Sequence, residues 1–398
     1  MAGILFCDRF ITHNLFGGLE LSKALMIIAG EASGDLHGAS LIKELRGIDK
    51  DLRLFGIGGD KMITEGMNAD YHIKDMAFLG FVEVIKHLPF IKRVQQDLLK
   101  RIAEEKIDTV VLIDYPGFNL SFAKKIKKLG IKIIYYISPQ VWAWGKGRIP
   151  KIKRLVDKML VVFPFEKEMY NQHGIDAEYV GHPLVERIDE YKFLTRDGFF
   201  EKFSLDKTKE LLLIMPGSRI QEIKKIFPES IKAAEKIANE FNMQVVVSCS
   251  QHIDSTIFKS ISDATNYKLI TGNNYDLMKY AKCGIIKSGT STLEAGLFGL
   301  PSVIVYSTNW ITYLIGRSLV KIKNIALANI IAGETIFDEL IQGDVNSENI
   351  FNKIKTLLTD IERYNSVKEK LKVLKTKLGQ AGASAKAAQI IYAKLNEA

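Results

Sequence analysis

Asp114 stands directly after the apolar run Thr109–Ile113, in the stretch DYPGFN. A carboxylate at the carboxyl tip of a central strand faces the ligand crevice of an open α/β sheet, where it can act as a general base. The same stretch would also serve as a plain turn capped by Asp114 or Asn119, because short polar side chains bond their own backbone in turns. A second acidic site lies in IIAGEASGDLHG, residues 27–38, which reads as strand, small-residue turn and helix. Its glycines and helix N-terminus suit a sugar phosphate. Glu31, Ser33, Gly34 and Asp35 line that turn, and the two acids can accept from sugar hydroxyls. Acids that only complement a helix dipole are the alternative.

Two further turns have the opposite electrostatic character. In MPGSRIQE, residues 215–222, Gly217 and Ser218 end a strand and open a helix. Free backbone N–H groups there favour an anion, and Arg219 adds a planar donor fork suited to a diphosphate. Glu222 follows one turn later. A Ser-capped helix with a surface arginine is the plainer reading. In KSGTSTLEAGLFGLP, Gly289, Thr290, Ser291 and Thr292 place small hydroxyl donors at another helix start, and Glu294 can accept from a ribose diol. An acid early in a helix is stabilising by itself. Two such turns in one half of the chain favour a nucleotide.

Two aromatic stretches flank these turns. YYISPQVWAWGKGR, from Tyr135, sets Ser138, Gln140, Trp142 and Trp144 beside Lys146 and Arg148, a set that can clamp a sugar or a phosphate. Nucleic-acid stacking and a packed domain-edge loop use the same residue types. FLGFVEVIKHLPFIKR, from Phe78, mixes bulky apolar residues with cations, as an interfacial segment at a bilayer does and as many core helices also do.

The elements that position these residues follow from periodicity. Short apolar runs (KALMIIA, LRLFGIG, TVVLI, IKIIYYI, KMLVVF, AEYVG) alternate with helical patterns. After a polar stretch near residues 185–207 the alternation restarts with ELLLIM, QVVVSCS, YKLIT, CGIIK and PSVIVY. Continuous apolar strands between helices indicate parallel sheets covered on both faces. The expected architecture is α/β, with two doubly wound domains facing across a cleft. The expected division is an extension over 1–22, a first Rossmann-like domain over 23–186, a second, nucleotide-binding one over 187–375, and a C-terminal helix over 376–398 that can pack back on the first domain.

Composition narrows the function classes. With 398 residues, 47% of them apolar, the chain can bury two cores. Three cysteines at 7, 249 and 283 fit no metal spacing and cannot pair evenly, which suggests a reducing, cytoplasmic setting. The net charge of +9 suits a polyanionic partner: nucleic acid, an anionic lipid surface or a phosphorylated substrate. No apolar run approaches the ~18 residues that span a bilayer. The N-terminal stretch lacks a basic start and is interrupted by Asp8 and Arg9, so it reads poorly as a signal peptide, and Met26 is an alternative initiator. GIGGDK lacks the third glycine of a dinucleotide fingerprint, and no P-loop or H-E-x-x-H occurs. The one D-x-D, Asp49–Asp51, precedes a strand. No metal and no cofactor are expected.

Taken together, AGEASGDLHG, GFVEV, IDYPGFN, YYISPQVWAWGKGR, FPFEKEMY, VGHPL, MPGSR and SGTSTLEAGLFGLP resemble the lipid-A-disaccharide synthase family over about Leu25 to the C-terminal helices. The resemblance implies a GT-B glycosyltransferase, inverting and metal-independent, that joins UDP-diacylglucosamine to diacylglucosamine 1-phosphate and releases UDP. It implies a peripheral protein on the cytoplasmic face of the inner membrane, with an anionic lipid surface and not nucleic acid as its polyanion. Asp114 then becomes the base for the acceptor 6-hydroxyl, and Arg219 neutralises the departing diphosphate. Thr290, Ser291, Thr292 and Glu294 hold phosphate and ribose, and Asn329 borders the nucleotide. Phe81, Val82, Val84, Ile85 and Leu88 form an acyl- and membrane-facing patch. Gly117 stands where some members carry a second acid, which weakens a paired-carboxylate mechanism. Another UDP-sugar enzyme of the same fold (a lipid-linked N-acetylglucosaminyltransferase or a UDP-N-acetylglucosamine epimerase) is the nearest alternative. A non-catalytic two-domain ligand-binding protein is the alternative from a different class.

Overall fold

The computed structural model describes residues 23–76, 87–142, 145–310 and 324–397. Its first sheet holds β1 (Ala24–Ala29), β2 (Arg53–Gly58), β3 (Asn68–His72), β4 (Thr109–Ile113), β5 (Lys132–Tyr136), β6 (Lys158–Val161) and β7 (Ala177–Tyr179). The strand order is β3-β2-β1-β4-β5-β6-β7, and every pairing is parallel. The second sheet holds β8 (Glu210–Met215), β9 (Met243–Cys249), β10 (Lys268–Thr271), β11 (Ala281–Lys287), β12 (Ser302–Tyr306) and β13 (Asp338–Ile341). Its order, β10-β9-β8-β11-β12-β13, repeats the plan, again all parallel. This is the expected α/β, GT-B-like architecture.

The apolar runs are continuous because both faces of each strand are covered. Along β1, Leu25, Ile27 and Ala29 enter one core cluster, while Ala24, Met26 and Ile28 enter the other. Alternate side chains point to opposite faces, so a strand buried on both sides has no place for a polar residue. The first of these clusters runs on through Phe163, Leu184, Val185 and Ile188 into β8 and its neighbours. One apolar body therefore joins the two sheets.

The C-terminal helices divide between the sheets. Helix Ile361–Lys377 packs on helix Thr290–Leu297 of the second unit, whereas helix Ala383–Asn396 packs on helix Ala32–Ile48 of the first. Around that return, Tyr179 donates its hydroxyl to Leu378 O at 2.6 Å, and Ser384 N donates to Glu186 Oε2 at 3.2 Å. Ala387, Ala388 and Ile391 are fully buried. Truncating Ile391 to Ala removes a buried branched side chain and should cost about 2–5 kcal/mol. The check is chemical denaturation followed on the first unit, where the midpoint should fall; an unchanged midpoint would mean that this helix is not part of that core.

Candidate functional site

In both sheets the strand order reverses beside the first strand, between β1 and β4 and between β8 and β11. Connections leave opposite faces at such a switch point, and a crevice opens beyond the strand ends. Register brings the tips level: Ala29 pairs with Ile113, and Met215 with Ile286. Glu31 and Asp114 therefore sit together past the first pair. Arg219 and the turn from Gly289 sit together past the second.

Asp114 departs from its strand with φ of 43°, and Tyr115 follows at 46°. Two successive non-glycine residues in the left-handed region are costly unless their surroundings hold them. Asn119 Nδ2 donates to the carbonyls of Asp114 at 2.7 Å and Ile113 at 3.2 Å, and Tyr135 Oη donates to Asp114 O at 2.5 Å. The Tyr115 ring fills the space over Gly30, where a Cβ would lie 2.1 Å from a ring carbon. Asn119 thus anchors the turn, and the Asp114 carboxylate is left for the cleft. Burial, with the Glu31 charge second, pushes its carboxyl up to about 6. A base with that affinity is matched to work near neutrality.

The other residues of the acidic side divide by exposure. Glu31, Ser33 and Gln140 are exposed, and Gly34 is buried where helix Ala32–Ile48 crosses β1. Asp35, expected as a sugar ligand, caps a helix in this fold. It is buried, and its carboxylate accepts from Gly59 N (2.7 Å), Met62 N (3.1 Å) and Lys61 N (3.2 Å) at the start of helix Asp60–Thr64. Ser138 and Trp142 also turn inward. Ser138 Oγ donates to Glu166 Oε1 at 2.7 Å, and Trp142 Nε1 donates to the same oxygen at 3.0 Å. Both therefore spend their side-chain donors on Glu166 and shape the loop after β5.

Glu166 is the residue that sequence reasoning passed over. It is buried, and burial pushes its carboxyl up to about 7 against the hydrogen bonds from Ser138, Phe163 N and Trp142. FPFEKE carries the signal, an acid just past a strand-to-helix turn, but that pattern usually marks only a cap.

The basic side forms a cavity of about 340 Å³ lined by Gly217, Ser218, Arg219, Glu222, Ser248, Asn274, Lys287, Gly289, Thr290 and Ser291 among others. Gly217 has φ of 121°, and a Cβ there would meet Glu222 Oε2 at 2.5 Å, so the turn closes only with glycine. Glu222 is a holder of cations: its carboxylate accepts from Ser218 N at 3.1 Å and pairs with Lys287 Nζ at 2.8 Å and Arg219 Nη1 at 3.6 Å. The Arg219 side chain is 73% exposed and free to swing, whereas that of Lys287 is only 20% exposed. Lys287 is the second missed residue. It was legible as the last residue of β11, whose C-terminal end must reach the cleft.

Thr290 is exposed and Ser291 half-buried. The buried Thr292 hydroxyl donates to Gly289 O at 2.8 Å and accepts from Leu327 N at 3.1 Å, so it ties two turns together. Asn329, expected at the nucleotide, is buried: its amide nitrogen donates to Phe337 O and Glu339 Oε1, and its oxygen accepts from Ile336 N and Phe337 N. Glu294 is partly buried, its carboxyl pushed up by that burial and bounded by Tyr275 Oη at 3.5 Å. Leu88 opens helix Leu88–Glu104 and is 45% exposed, while Phe81, Val82, Val84 and Ile85 lie outside the described residues, as does Trp144.

The model of the lipid-A-disaccharide synthetase family matches residues 25–393. This chain belongs to that family. It is 40% identical to the lipid-A-disaccharide synthase of Syntrophus aciditrophicus over 371 residues, covering 92% of this chain and 96% of the relative. It is also 40% identical to that of Nitrosococcus oceani over 385 residues, covering 95% and 98%. Among solved structures, the UDP-GlcNAc 2-epimerase of Neisseria meningitidis bound to UDP-GlcNAc superposes with a TM-score of 0.61 at 15% identity, covering 94% of this chain and 99% of that one. The calicheamicin glycosyltransferase does so at 0.60 and 14%, covering 94% and 98%. These two likenesses concern the fold alone. As a family member the chain is a glycosyltransferase of lipid A biosynthesis, using a UDP-sugar donor and a lipid acceptor. The epimerase and the non-catalytic binder are not favoured.

The raised Asp114 carboxyl links protonation to stability. Its folded-state pKa lies above the ordinary 3.8, so the folded state binds the extra proton between about pH 4 and 6. Stability from this group is present below that window and lost as pH rises through it. At pH 7.5 Asp114→Asn should therefore stabilise the protein by on the order of 2–3 kcal/mol, and at pH 4 by almost nothing. Paired thermal melts at the two pH values read this; equal shifts at both would contradict it.

Proposed function

We propose that the chain condenses UDP-2,3-diacylglucosamine with 2,3-diacylglucosamine 1-phosphate, giving the lipid A disaccharide 1-phosphate and UDP with inversion at the donor anomeric carbon. Residues 23–186 take the acceptor and meet the membrane, residues 187–375 take UDP, and 376–398 tie the last helix to the first unit. Asp114 removes the proton of the acceptor 6-hydroxyl as its oxygen attacks the anomeric carbon. The bond to the UDP oxygen breaks, and negative charge collects on the diphosphate. Arg219, Lys287 and the N–H groups from Gly217 to Ser218 and Gly289 to Ser291 receive that charge, preorganised and without a metal. Glu31 and Gln140 bond acceptor hydroxyls beside Asp114, and Glu294 takes the ribose.

The observation that carries this reading is the raised Asp114 carboxyl beside Glu31 at the carboxyl end of β4, its backbone held by Asn119 and Tyr135. The excess of cations and the half-exposed Leu88, one turn before Lys92 and Arg93, support a seat on an anionic inner-membrane surface from the cytoplasmic side. Among the described residues no helix is long and apolar enough to cross a membrane.

The test follows radiolabelled diacylglucosamine 1-phosphate with the UDP-activated donor on mixed micelles. Disaccharide should form equally with and without EDTA. Asp114→Asn should lower kcat by about 10²–10⁴-fold with little change in UDP affinity, as for a removed general base. Wild-type kcat should fall as pH drops below about 6, and Glu31→Gln should move that limb to lower pH by removing the neighbouring charge. No disaccharide product would sink the assignment, and an undiminished Asp114→Asn rate would remove the base.

A further inference from the structure

Helix Pro183–Glu190 stands at the junction of the two units, and most of its residues are spoken for. Leu184, Val185 and Ile188 are buried in the shared core. His182 accepts from Leu184 N through Nδ1 at 3.1 Å, which fixes it as the neutral ring with its proton on Nε2. Glu186 accepts from Ser384 N. Arg187 projects from the remaining face towards the second unit. Its Cζ lies 6.0 Å from the ring centroid of Tyr275, and the Tyr275 hydroxyl is 3.5 Å from Glu294 Oε1 at the nucleotide-side helix. Facing it from the first unit are His37 and His182, both held neutral, chiefly by burial and further by the Arg187 charge.

Arg187 is half-buried, yet it makes no hydrogen bond or ion pair with any described residue. Five donors drawn partly out of water with no acceptor are unfavourable unless a ligand supplies one. The aromatic face orients the guanidinium without using its donors. Two neutral imidazoles add no competing charge, and Glu294 is close enough to feel the cation without pairing with it. That arrangement suits an incoming planar or tetrahedral anion.

We propose that Arg187 is a substrate-binding residue that takes a phosphate group in the interdomain cleft, a third cation beside Arg219 and Lys287 and the one supplied from the junction helix. This rests on the reading of the cleft as the UDP-sugar and sugar-phosphate site. The donor diphosphate and the acceptor 1-phosphate share the chemistry, and the experiment separates them.

The variants are Arg187→Gln and Arg187→Lys in the full chain, with UDP and uridine affinities measured by calorimetric competition and KM measured for each substrate. If the donor phosphate is bound, Arg187→Gln weakens UDP about 10- to 100-fold with uridine unchanged, and Arg187→Lys restores part of the loss. If the acceptor phosphate is bound, acceptor KM rises by a similar factor while UDP affinity stays. Unchanged UDP affinity and unchanged KM values overturn the proposal. So does an equal weakening of UDP and uridine, or a lowered melting temperature as the sole effect, since these mark a packing role. A chain that binds UDP through Arg187 but yields no disaccharide would fail the proposed reaction and leave this residue's role standing.

Discussion

The reversal of strand order beside β1 and beside β8 is the constraint from which the site follows. A parallel sheet must be crossed right-handedly, so helices placed on opposite faces leave the sheet in opposite directions only where the order turns. At those two places the backbone parts and leaves room for a ligand. The acidic turns sit at the first reversal and the basic turns at the second. The shared apolar body through Phe163, Leu184 and Ile188 then joins the two sheets. Packing that buries apolar surface thereby also sets where the charges stand.

Charge is divided accordingly. The first reversal carries Asp114 and Glu31; burial, with the Glu31 charge second, raises the Asp114 carboxyl, which is how a carboxylate can become a base useful near neutral pH. The donor side carries Arg219 and Lys287, both tethered to one carboxylate, Glu222. That tether holds two like charges close together. In the proposed reaction a proton leaves on the acidic side and negative charge arrives on the basic side, so the two turns would do opposite electrostatic work.

Much of this was legible along the chain. Strands of the TVVLI and ELLLIM kind can only be two-sided, and a polar residue that ends such a run must lie at the sheet edge facing the crevice. Asp114, Arg219 and the Gly289–Ser291 turn were singled out that way, and each stands past the carboxyl end of its strand. Three of the expected site residues are engaged with the fold itself. Asp35, Thr292 and Asn329 are small polar residues at turns, and such residues bind either ligands or backbone; the choice depends on which N–H groups the tertiary fold brings near. For Asp35 these came from Gly59 to Met62, and for Asn329 from Ile336 and Phe337. Glu166 was missed for the converse reason, since its partners Ser138 and Trp142 lie over twenty residues away.

The sequence by itself determined the alternation of buried strands and helices, the chemical character of each turn and the family, because periodicity and short motifs are local properties of the chain. Only the tertiary structure decided which polar groups remain free. It gave Asn119 and Tyr135 the task of presenting Asp114, gave Glu222 the task of holding Lys287 and Arg219, and returned the last helix to the first unit. It also left Arg187 over the Tyr275 ring at the junction, with no hydrogen bond or ion pair among the described residues. Availability for a ligand is what remains once every nearby donor and acceptor has been satisfied, and that sum runs over neighbours in space, not along the chain.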